Sequence, residues 1–209
     1  MNIRPETLQL YLVTERSLAA GRSLTDVVLA AVAGGVTIVQ IREKAATTRA
    51  FIEQARALKT ALNDSGVPLI VNDRVDVALA IGADGVHLGD DDMPCPEARR
   101  ILGPTAIIGV SLAAAPGDGF ADADYFAASP VFATDTKPDA GPALGLAGVA
   151  MLRRAVDRPL VAIGGIDQHN AARIIAAGAD GIAVVSAIMA ADDPTEAAAQ
   201  LKTAVTRFS

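Results

Sequence analysis

Two aspartates that follow neighbouring apolar runs are the first candidates for chemistry. Asp73 comes just after the run 69–71 and Asp92 just after the run 84–88, so 19 residues (92 − 73) separate the two carboxylates. If both runs are strands of a parallel sheet, their carboxyl ends lie on one face and the carboxylates converge there. Hard oxygen ligands with room for water and phosphate suit Mg²⁺, whereas zinc prefers Cys and His. We therefore predict a Mg²⁺ site at Asp73 and Asp92.

Cationic and amide side chains are expected on the same face. Gln40, Arg42 and Lys44 alternate at the end of the β-branched run 36–42, and alternate residues of a strand point the same way. Lys and Arg side chains bind phosphate oxygens directly. Polar residues also follow the later predicted strands, and they are Asn72, Ser111, Thr134, Thr136 and Lys137. Carboxylates opposite several cations indicate a site for a metal-bound diphosphate.

A glycine pair and a serine indicate a second anion site. Gly164 and Gly165 follow the apolar run 159–163, and Ser186 follows the run 180–185. Glycine lets backbone N–H groups approach an anion, and a helix N-terminus adds its dipole at this end of a barrel fold. One diphosphate site beside one monophosphate site suggests an enzyme that joins two phosphorylated fragments with loss of pyrophosphate.

Composition narrows the class of protein. Of the 209 residues, 51% are hydrophobic and only 3% aromatic, which is typical of packed helices and buried parallel strands. A net charge of −6 argues against general nucleic-acid binding. No apolar run reaches the roughly 18 residues of a membrane span, and the first residues lack the layout of a signal peptide. Because Cys95 is the single cysteine, we expect no disulfide framework and a cytoplasmic location.

Strand and helix signals alternate along the whole chain. The predicted strands are 10–14, 36–42, 69–71, 84–88, 106–111, a sixth that begins at 124–128 and runs toward 130–132, 159–163 and 180–185. The predicted helices are 24–34, 47–65, 76–82, 94–102, 146–156, 170–178 and 194–208. Eight strand-centred steps without a linker, and a repeated Gly-Ala-Asp-Gly at helix-to-strand junctions, predict an α/β fold: a (β/α)8 TIM barrel forming a single domain over residues 1–209. A doubly wound open sheet is the alternative.

Three parts of the chain depart from this regular pattern. Segment 112–122 contains Pro-Gly-Asp-Gly, so we expect at most a short or irregular helix there. The Gly-, Pro- and Thr-rich loop 133–143 has the composition of a lid. His87 lies within an apolar strand and is interpreted as a hydrogen-bonded core histidine rather than a catalyst.

Several motifs together resemble those of thiamine-phosphate synthase. They are IVQIREK (38–44), VNDRVDVALAIGADGVHLGDDDMP (71–94), IGVS (108–111), SPVFATDTK (129–137), AIGGI (162–166) and GADGIAVVSAI (178–188). The order matches, and the motifs extend over most of the chain. The resemblance implies a cytoplasmic transferase of thiamine biosynthesis. It would join 4-amino-2-methyl-5-hydroxymethylpyrimidine diphosphate to 4-methyl-5-(2-phosphoethyl)thiazole, with thiamine phosphate and pyrophosphate as products.

The resemblance also implies a role for each candidate residue. Asp73 and Asp92 would bind Mg²⁺. The pyrimidine diphosphate would be held by Gln40, Arg42, Lys44, Asn72, Ser111 and Lys137, of which Arg42, Lys44, Ser111 and Lys137 would be catalytic because they stabilise the leaving group. The thiazole phosphate would be surrounded by Thr134, Thr136, Gly165, Val185 and Ser186. No convincing nucleophile triad is found, and ionisation of a diphosphate requires none.

Two other functions remain open at this point. An isomerase similar to the thiazole tautomerases could use the same barrel, although it would lack the full metal and diphosphate set. A non-catalytic protein that binds a thiamine intermediate is the second alternative. The expected partners are the small phosphorylated pyrimidine and thiazole, with neither nucleic acid nor membrane. The sequence leaves open whether the chain forms a homo-oligomer.

Overall fold

The fold is a closed barrel of eight parallel strands. A computed structural model describes residues 3–134, 136–137 and 141–206. Strands pair in chain order, and the last returns to the first. The strands are β1 (Leu10–Val13), β2 (Ile38–Ile41), β3 (Leu69–Asn72), β4 (Gly85–Leu88), β5 (Ile107–Leu112), β6 (Tyr125–Ala128), β7 (Leu160–Ile163) and β8 (Gly181–Val184). The predicted (β/α)8 barrel is confirmed, and the open sheet is excluded.

An α-helix follows every strand except β5, and two follow β8. The helices are α1 (Leu24–Ala33), α2 (Thr48–Leu62), α3 (Val75–Ile81), α4 (Cys95–Leu102), α5 (Gly145–Ala155), α6 (Ala171–Ala176), α7 (Ser186–Met189) and α8 (Pro194–Thr206). Ser23 and Thr47 cap α1 and α2, because their hydroxyl oxygens accept the N–H groups of the first turn. Within the part of the chain that is described, no helix has the length and apolar character needed to cross a bilayer.

Alternating side chains of the short strands build two hydrophobic cores. Leu12 and Val71 belong to the larger core, which packs the strands against the helices. Tyr11, Ile70 and Tyr125 belong to the smaller core inside the barrel. All four residues of β1 are therefore buried, and so are those of β2, β4, β6 and β8. The period of two along each strand decides which side chains can reach the barrel mouth.

The two Gly-Ala-Asp-Gly copies make the same structural contact. Asp84 Oδ2 accepts the first N–H of β3 at 2.8 Å, and Asp180 Oδ2 accepts the first N–H of β7 at 2.7 Å. Each carboxylate also pairs with a basic residue of the preceding α2 or α5 helix, Lys59 at 2.7 Å and Arg153 at 2.8 Å. These aspartates therefore satisfy the first N–H groups of β3 and β7 at the amino end of the barrel, opposite the predicted site.

Element boundaries differ from the predicted ones mainly at strand ends. β6 ends at Ala128, and segment 112–122 contains only a single turn of 3₁₀ helix (Asp118–Phe120), which agrees with its irregular composition. Further 3₁₀ turns (Pro5–Leu8, Arg16–Ala19 and Asn63–Ser65) and helix α7 were not predicted, since they are too short to show a periodicity. Residues 135 and 138–140 of the proposed lid, and the end of the predicted helix 194–208, lie outside the described residues.

Candidate active site

A cavity of about 230 Å³ opens at the carboxyl ends of the strands. Some inward-facing residues near this end are small, among them Ala127 on β6 and Ala183 on β8, and they leave part of the barrel interior unfilled at that level. Every predicted metal- or substrate-binding residue lines this cavity: Gln40, Arg42, Lys44, Asn72, Asp73, Asp92, Ser111, Thr134, Thr136, Lys137, Gly165, Val185 and Ser186. The structure thus brings the predicted residues together; their roles stay predictions.

Asp73 is held in an unusual backbone conformation directly after β3. Its φ is +60°, in the left-handed region that only short polar residues such as Asp and Asn visit readily apart from glycine. Its N–H donates to the carbonyl oxygen of His87 at 2.9 Å, which anchors it to β4. Lys44 Nζ lies 2.6 Å from Asp73 Oδ2. Such a conformation persists only where the surrounding contacts enforce it, and residues of this kind cluster at functional sites.

Asp92 faces Asp73 across the ends of β3 and β4. Its Oδ2 accepts the N–H of Gly89 at 2.7 Å. Burial raises the pKa of the Asp92 carboxyl, the N–H of Gly89 partly offsets this, and the neighbouring Asp73 carboxylate raises it further. A cation bound between the two carboxylates would favour the ionised form of Asp92, which burial disfavours.

The carboxylate pair has the donor chemistry of a magnesium site. Among the described residues, no group of three or more His, Cys, Asp or Glu side chains is placed to hold a metal ion, so Asp73 and Asp92 form a two-carboxylate set. Mg²⁺ usually keeps several waters and binds through one or two carboxylates plus substrate phosphates. The residues present therefore fit Mg²⁺ better than zinc.

Two of the three candidate cations, Arg42 and Lys44, are already oriented by acidic partners. Arg42 Nη1 lies 2.7 Å from Glu15 Oε2, and the backbone N–H of Arg42 donates to Thr14 Oγ1 at 3.1 Å. With side-chain exposures of 18% and 25%, Arg42 and Glu15 form a largely shielded pair. Lys44 is more exposed, at 56%, and can change partner at lower cost. The site therefore has one fixed cation and one adjustable cation on the same side.

The Gly164–Gly165 turn after β7 needs glycine at both positions. Their φ values are +109° and +61°. A Cβ on Gly164 would lie 2.8 Å from the Pro130 side chain, and a Cβ on Gly165 would lie 2.6 Å from the Ala133 carbonyl oxygen. The turn thus packs against the polar loop after β6, next to Ser186 at the start of α7. The turn lines the cavity where the sequence predicts a phosphate.

His87 lies in the cavity wall and is hydrogen-bonded at both ring nitrogens. Nδ1 is 2.9 Å from the Tyr125 hydroxyl and Nε2 is 2.9 Å from Ser111 Oγ. The Tyr125 hydroxyl contacts the Tyr11 hydroxyl at 2.9 Å, and Gln40 Nε2 donates to Tyr11 at 2.9 Å. We call this set, Gln40–Tyr11–Tyr125–His87–Ser111, the polar chain. The interpretation of His87 as a hydrogen-bonded core residue agrees with these contacts, and its place in the cavity wall is new.

Burial fixes the protonation states along the polar chain. It lowers the pKa of His87 to about 4, so the imidazole is neutral near pH 7. Burial also raises the pKa values of Tyr11 and Tyr125, so both phenols keep their protons. Sequence reasoning missed the two tyrosines. They are the chain's only ones, and their strand positions have inward parity with Gln40 and His87, which was the available signal.

A closed (β/α)8 barrel whose mouth combines paired carboxylates, facing cations and a Gly-Gly turn defines a class: barrel enzymes that bind phosphorylated substrates at the strand ends. Comparison with known proteins gives the particular family. The sequence model of TMP-TENI, described as thiamine monophosphate synthase, matches residues 10–188. The chain belongs to this family, and it is a transferase, as predicted.

Individual relatives agree with the family match. Thiamine-phosphate synthase of Albidiferax ferrireducens is 53% identical over 204 residues, covering 96% of this chain and 93% of the relative. That of Chloroflexus aurantiacus is 54% identical over 203 residues, covering 94% and 92%. Thiamine phosphate pyrophosphorylase from Pyrococcus furiosus superposes with a TM-score of 0.86 at 38% identity, covering 98% of each chain.

Proposed function

We propose that the cavity joins 4-amino-2-methyl-5-hydroxymethylpyrimidine diphosphate to 4-methyl-5-(2-phosphoethyl)thiazole, releasing pyrophosphate and forming thiamine phosphate. One observation carries this proposal: a carboxylate pair, three cationic side chains and a Gly-Gly turn line a single cavity. A diphosphate and a monophosphate can therefore be bound side by side. The family match and the names of the relatives support the same reaction.

Asp73 and Asp92 are proposed to hold Mg²⁺. When bound, this ion would neutralise charge on the diphosphate and make pyrophosphate a better leaving group. Burial raises the pKa of Asp92, and the neighbouring Asp73 carboxylate raises it further. A cation bound here would favour the ionised form of Asp92, which supports the assignment.

The diphosphate is proposed to lie between the cations and the neutral side chains of Asn72 and Ser111. Arg42, Lys44 and Lys137 contribute positive charge, and Asn72 and Ser111 contribute hydrogen-bond donors. Lys44 would exchange Asp73 for a phosphate oxygen, which its exposure permits. Gln40 would contact the aminopyrimidine ring deeper in the barrel, where Gln40 is only 4% exposed.

The reaction is then an ionisation followed by a capture. The C–O bond between the methylene carbon and the diphosphate breaks, and both electrons leave with pyrophosphate. The electron-rich aminopyrimidine stabilises the methylene cation, and the lone pair of the thiazole nitrogen forms the new C–N bond. This chemistry requires charge stabilisation and close placement of two reactants rather than a protein nucleophile. Both ring nitrogens of His87 are engaged within the protein, in agreement with that requirement.

The thiazole phosphate is proposed to bind at the Gly-Gly turn. Gly165, Val185 and Ser186 would supply backbone N–H groups and a hydroxyl group. On the facing loop, the N–H of Thr136 donates to Thr134 Oγ1 at 3.2 Å, which holds both threonines at the cavity rim. The thiazole nitrogen would then point toward the methylene carbon from the opposite side of the mouth.

The test is pyrophosphate release on mixing both pure substrates with and without Mg²⁺. We expect Mg²⁺-dependent release that Asp92→Asn lowers by at least about 100-fold in kcat, because charge stabilisation of a leaving group is usually worth several kcal/mol. Asp64→Asn, at an exposed carboxylate outside the cavity, is the matched control and keeps full activity. No release with both substrates present would reject the transferase. If the protein only isomerises the thiazole, the tautomerase-like alternative is favoured. If it binds the substrates without turnover, a non-catalytic sensor is favoured.

A further inference from the structure

The polar chain crosses the barrel interior and ends on two proposed substrate contacts. It begins at Gln40 on β2, passes Tyr11 on β1 and Tyr125 on β6, and reaches His87 on β4 and Ser111 on β5. Four successive contacts of 2.9 Å connect residues up to 114 positions apart in the chain. The chain of contacts couples the wall that would contact the pyrimidine ring to the wall that would contact the diphosphate.

The proton order along this chain follows from counting donors. Gln40 Nε2 donates to Tyr11, so the Tyr11 oxygen is already an acceptor. Tyr11 is buried and has one proton to donate, and among the described residues Tyr125 is the acceptor recorded for it. Because a buried O–H without an acceptor is destabilising, Tyr11 donates to Tyr125. Tyr125 in turn donates its only proton to Nδ1 of His87.

This order determines the tautomer of His87. Because Nδ1 of the neutral ring accepts from Tyr125, the ring proton is on Nε2, and Nε2–H donates to Ser111 Oγ. The Ser111 oxygen then acts as an acceptor toward the protein, and its own proton is directed to the cavity, which Ser111 lines. With the opposite tautomer, the Ser111 hydroxyl would donate its proton to Nε2 of His87.

We propose that His87 is a positioning residue: its Nε2–H, fixed by Tyr125 and Tyr11, turns the Ser111 hydroxyl proton toward the leaving diphosphate. This inference rests on the proposed function for the identity of the acceptor. The orientation of Ser111 itself does not depend on it. The same order leaves the carbonyl oxygen of Gln40 as an acceptor for an amino group on the pyrimidine. The polar chain therefore presents an acceptor at Gln40 and a donor at Ser111.

The orientation is tested first without substrate. The chain has two histidines, and ¹⁵N spectra of the histidine-labelled protein distinguish the tautomers of a neutral ring. His169→Gln, at an exposed position outside the cavity, removes one set of signals and assigns the other to His87. We expect the Nε2–H form in the unaltered protein and a shift toward Nδ1–H in Tyr125→Phe, which removes the donor to Nδ1. A predominant Nδ1–H form in the unaltered protein would overturn the proposal, whatever the activity.

Two matched substitutions then separate positioning from packing. His87→Gln places an amide N–H three bonds from Cβ, where Nε2 stood, and can still donate to Ser111. His87→Asn places an oxygen where Nδ1 stood but is too short to reach Ser111. Since a hydrogen bond to a charged group contributes about 1.5–3 kcal/mol, we expect His87→Asn and Ser111→Ala each to lower kcat roughly 10- to 100-fold. His87→Gln should retain kcat within about a factor of three.

The double variant completes the test. If His87 acts through Ser111, His87→Asn adds little to the loss in a Ser111→Ala background, and the KM for the thiazole phosphate stays unchanged in all variants. If the fold losses in kcat multiply in the double variant, or if His87→Gln and His87→Asn lower kcat equally, the role of His87 is structural only and the proposal is refuted. Absence of turnover in the unaltered protein would reject the proposed function but leave the tautomer measurement as a separate result.

Discussion

Mild acid should destabilise this protein through His87, and the effect can be calculated. Burial lowers the pKa of His87 to about 4 in the folded chain, against about 6.5 for an unperturbed histidine. Between these values the unfolded chain binds a proton that the folded chain excludes. The free energy of unfolding therefore falls as pH falls through this window. Protonation would also break the polar chain, because an imidazolium has no acceptor for the Tyr125 hydroxyl.

The magnitude follows from the two pKa values. At pH 5 the unfolded histidine is almost fully protonated and the folded one is about one-tenth protonated, which gives a loss of about 2 kcal/mol relative to pH 7.5. For a chain of this length, that corresponds to a fall in Tm of about 4–8 °C. Most of the loss should occur between pH 6.5 and pH 5, well above the range in which ordinary carboxylates titrate.

The assay is denaturant unfolding at pH 7.5, 6.5, 5.5 and 5.0, with the unaltered protein and His87→Gln compared at each pH. Other titrating groups, including Asp92, are common to both proteins and cancel in the difference. We expect the two stabilities to converge by about 2 kcal/mol as pH falls. A constant difference across the series, or an NMR titration of His87 with a midpoint near 6.5, would refute the burial argument.

Three further outcomes are expected. Asp92→Asn should raise Tm without Mg²⁺ and remove the stabilisation that Mg²⁺ gives, because it deletes a carboxylate whose pKa is raised by burial and by Asp73; an unchanged response to Mg²⁺ would contradict the metal assignment. Gly109→Ala should lower the free energy of unfolding by about 1–3 kcal/mol, since the new Cβ would overlap the Tyr125 ring. Gly119→Ala, which meets open space, should change it by no more than about 0.5 kcal/mol. Cys95 is buried and burial raises its pKa to about 11, so a thiol reagent should label it only as fast as the chain unfolds; rapid labelling under native conditions would be the contrary result.

The parts of the fold and site that depend on local periodicity could be predicted from the sequence. Gln40, Arg42 and Lys44 alternate along a β-branched run, and the structure places all three in the cavity. Asp73 and Asp92 were expected to converge because parallel strands end on one face, and both line the same mouth. In each case the period of a strand and the topology of a parallel sheet were sufficient.

The parts that depend on packing across the barrel could not be predicted. The contact between Tyr11 and Tyr125 joins strands 114 residues apart, and nothing local to either tyrosine indicates it. Nothing in the local sequence indicates the left-handed φ of Asp73 either, since an aspartate that follows a strand is usually interpreted as a helix cap. Short helix α7 lies below the length at which a periodicity can be seen.

The small residues inside the barrel explain why the cavity and the polar chain occur at the same level. Gly109 makes room for the Tyr125 ring, because any Cβ there would overlap it. The tyrosine hydroxyls then lie below a mouth lined by Ala127 and Ala183, where an apolar side chain would otherwise fill the space. A buried hydroxyl needs a hydrogen-bond partner. Placing the tyrosine rings inside the barrel therefore requires a continuous path of hydrogen bonds there. The volume that admits the substrate and the proton order that orients Ser111 therefore have a common cause in the size of a few inward-facing residues.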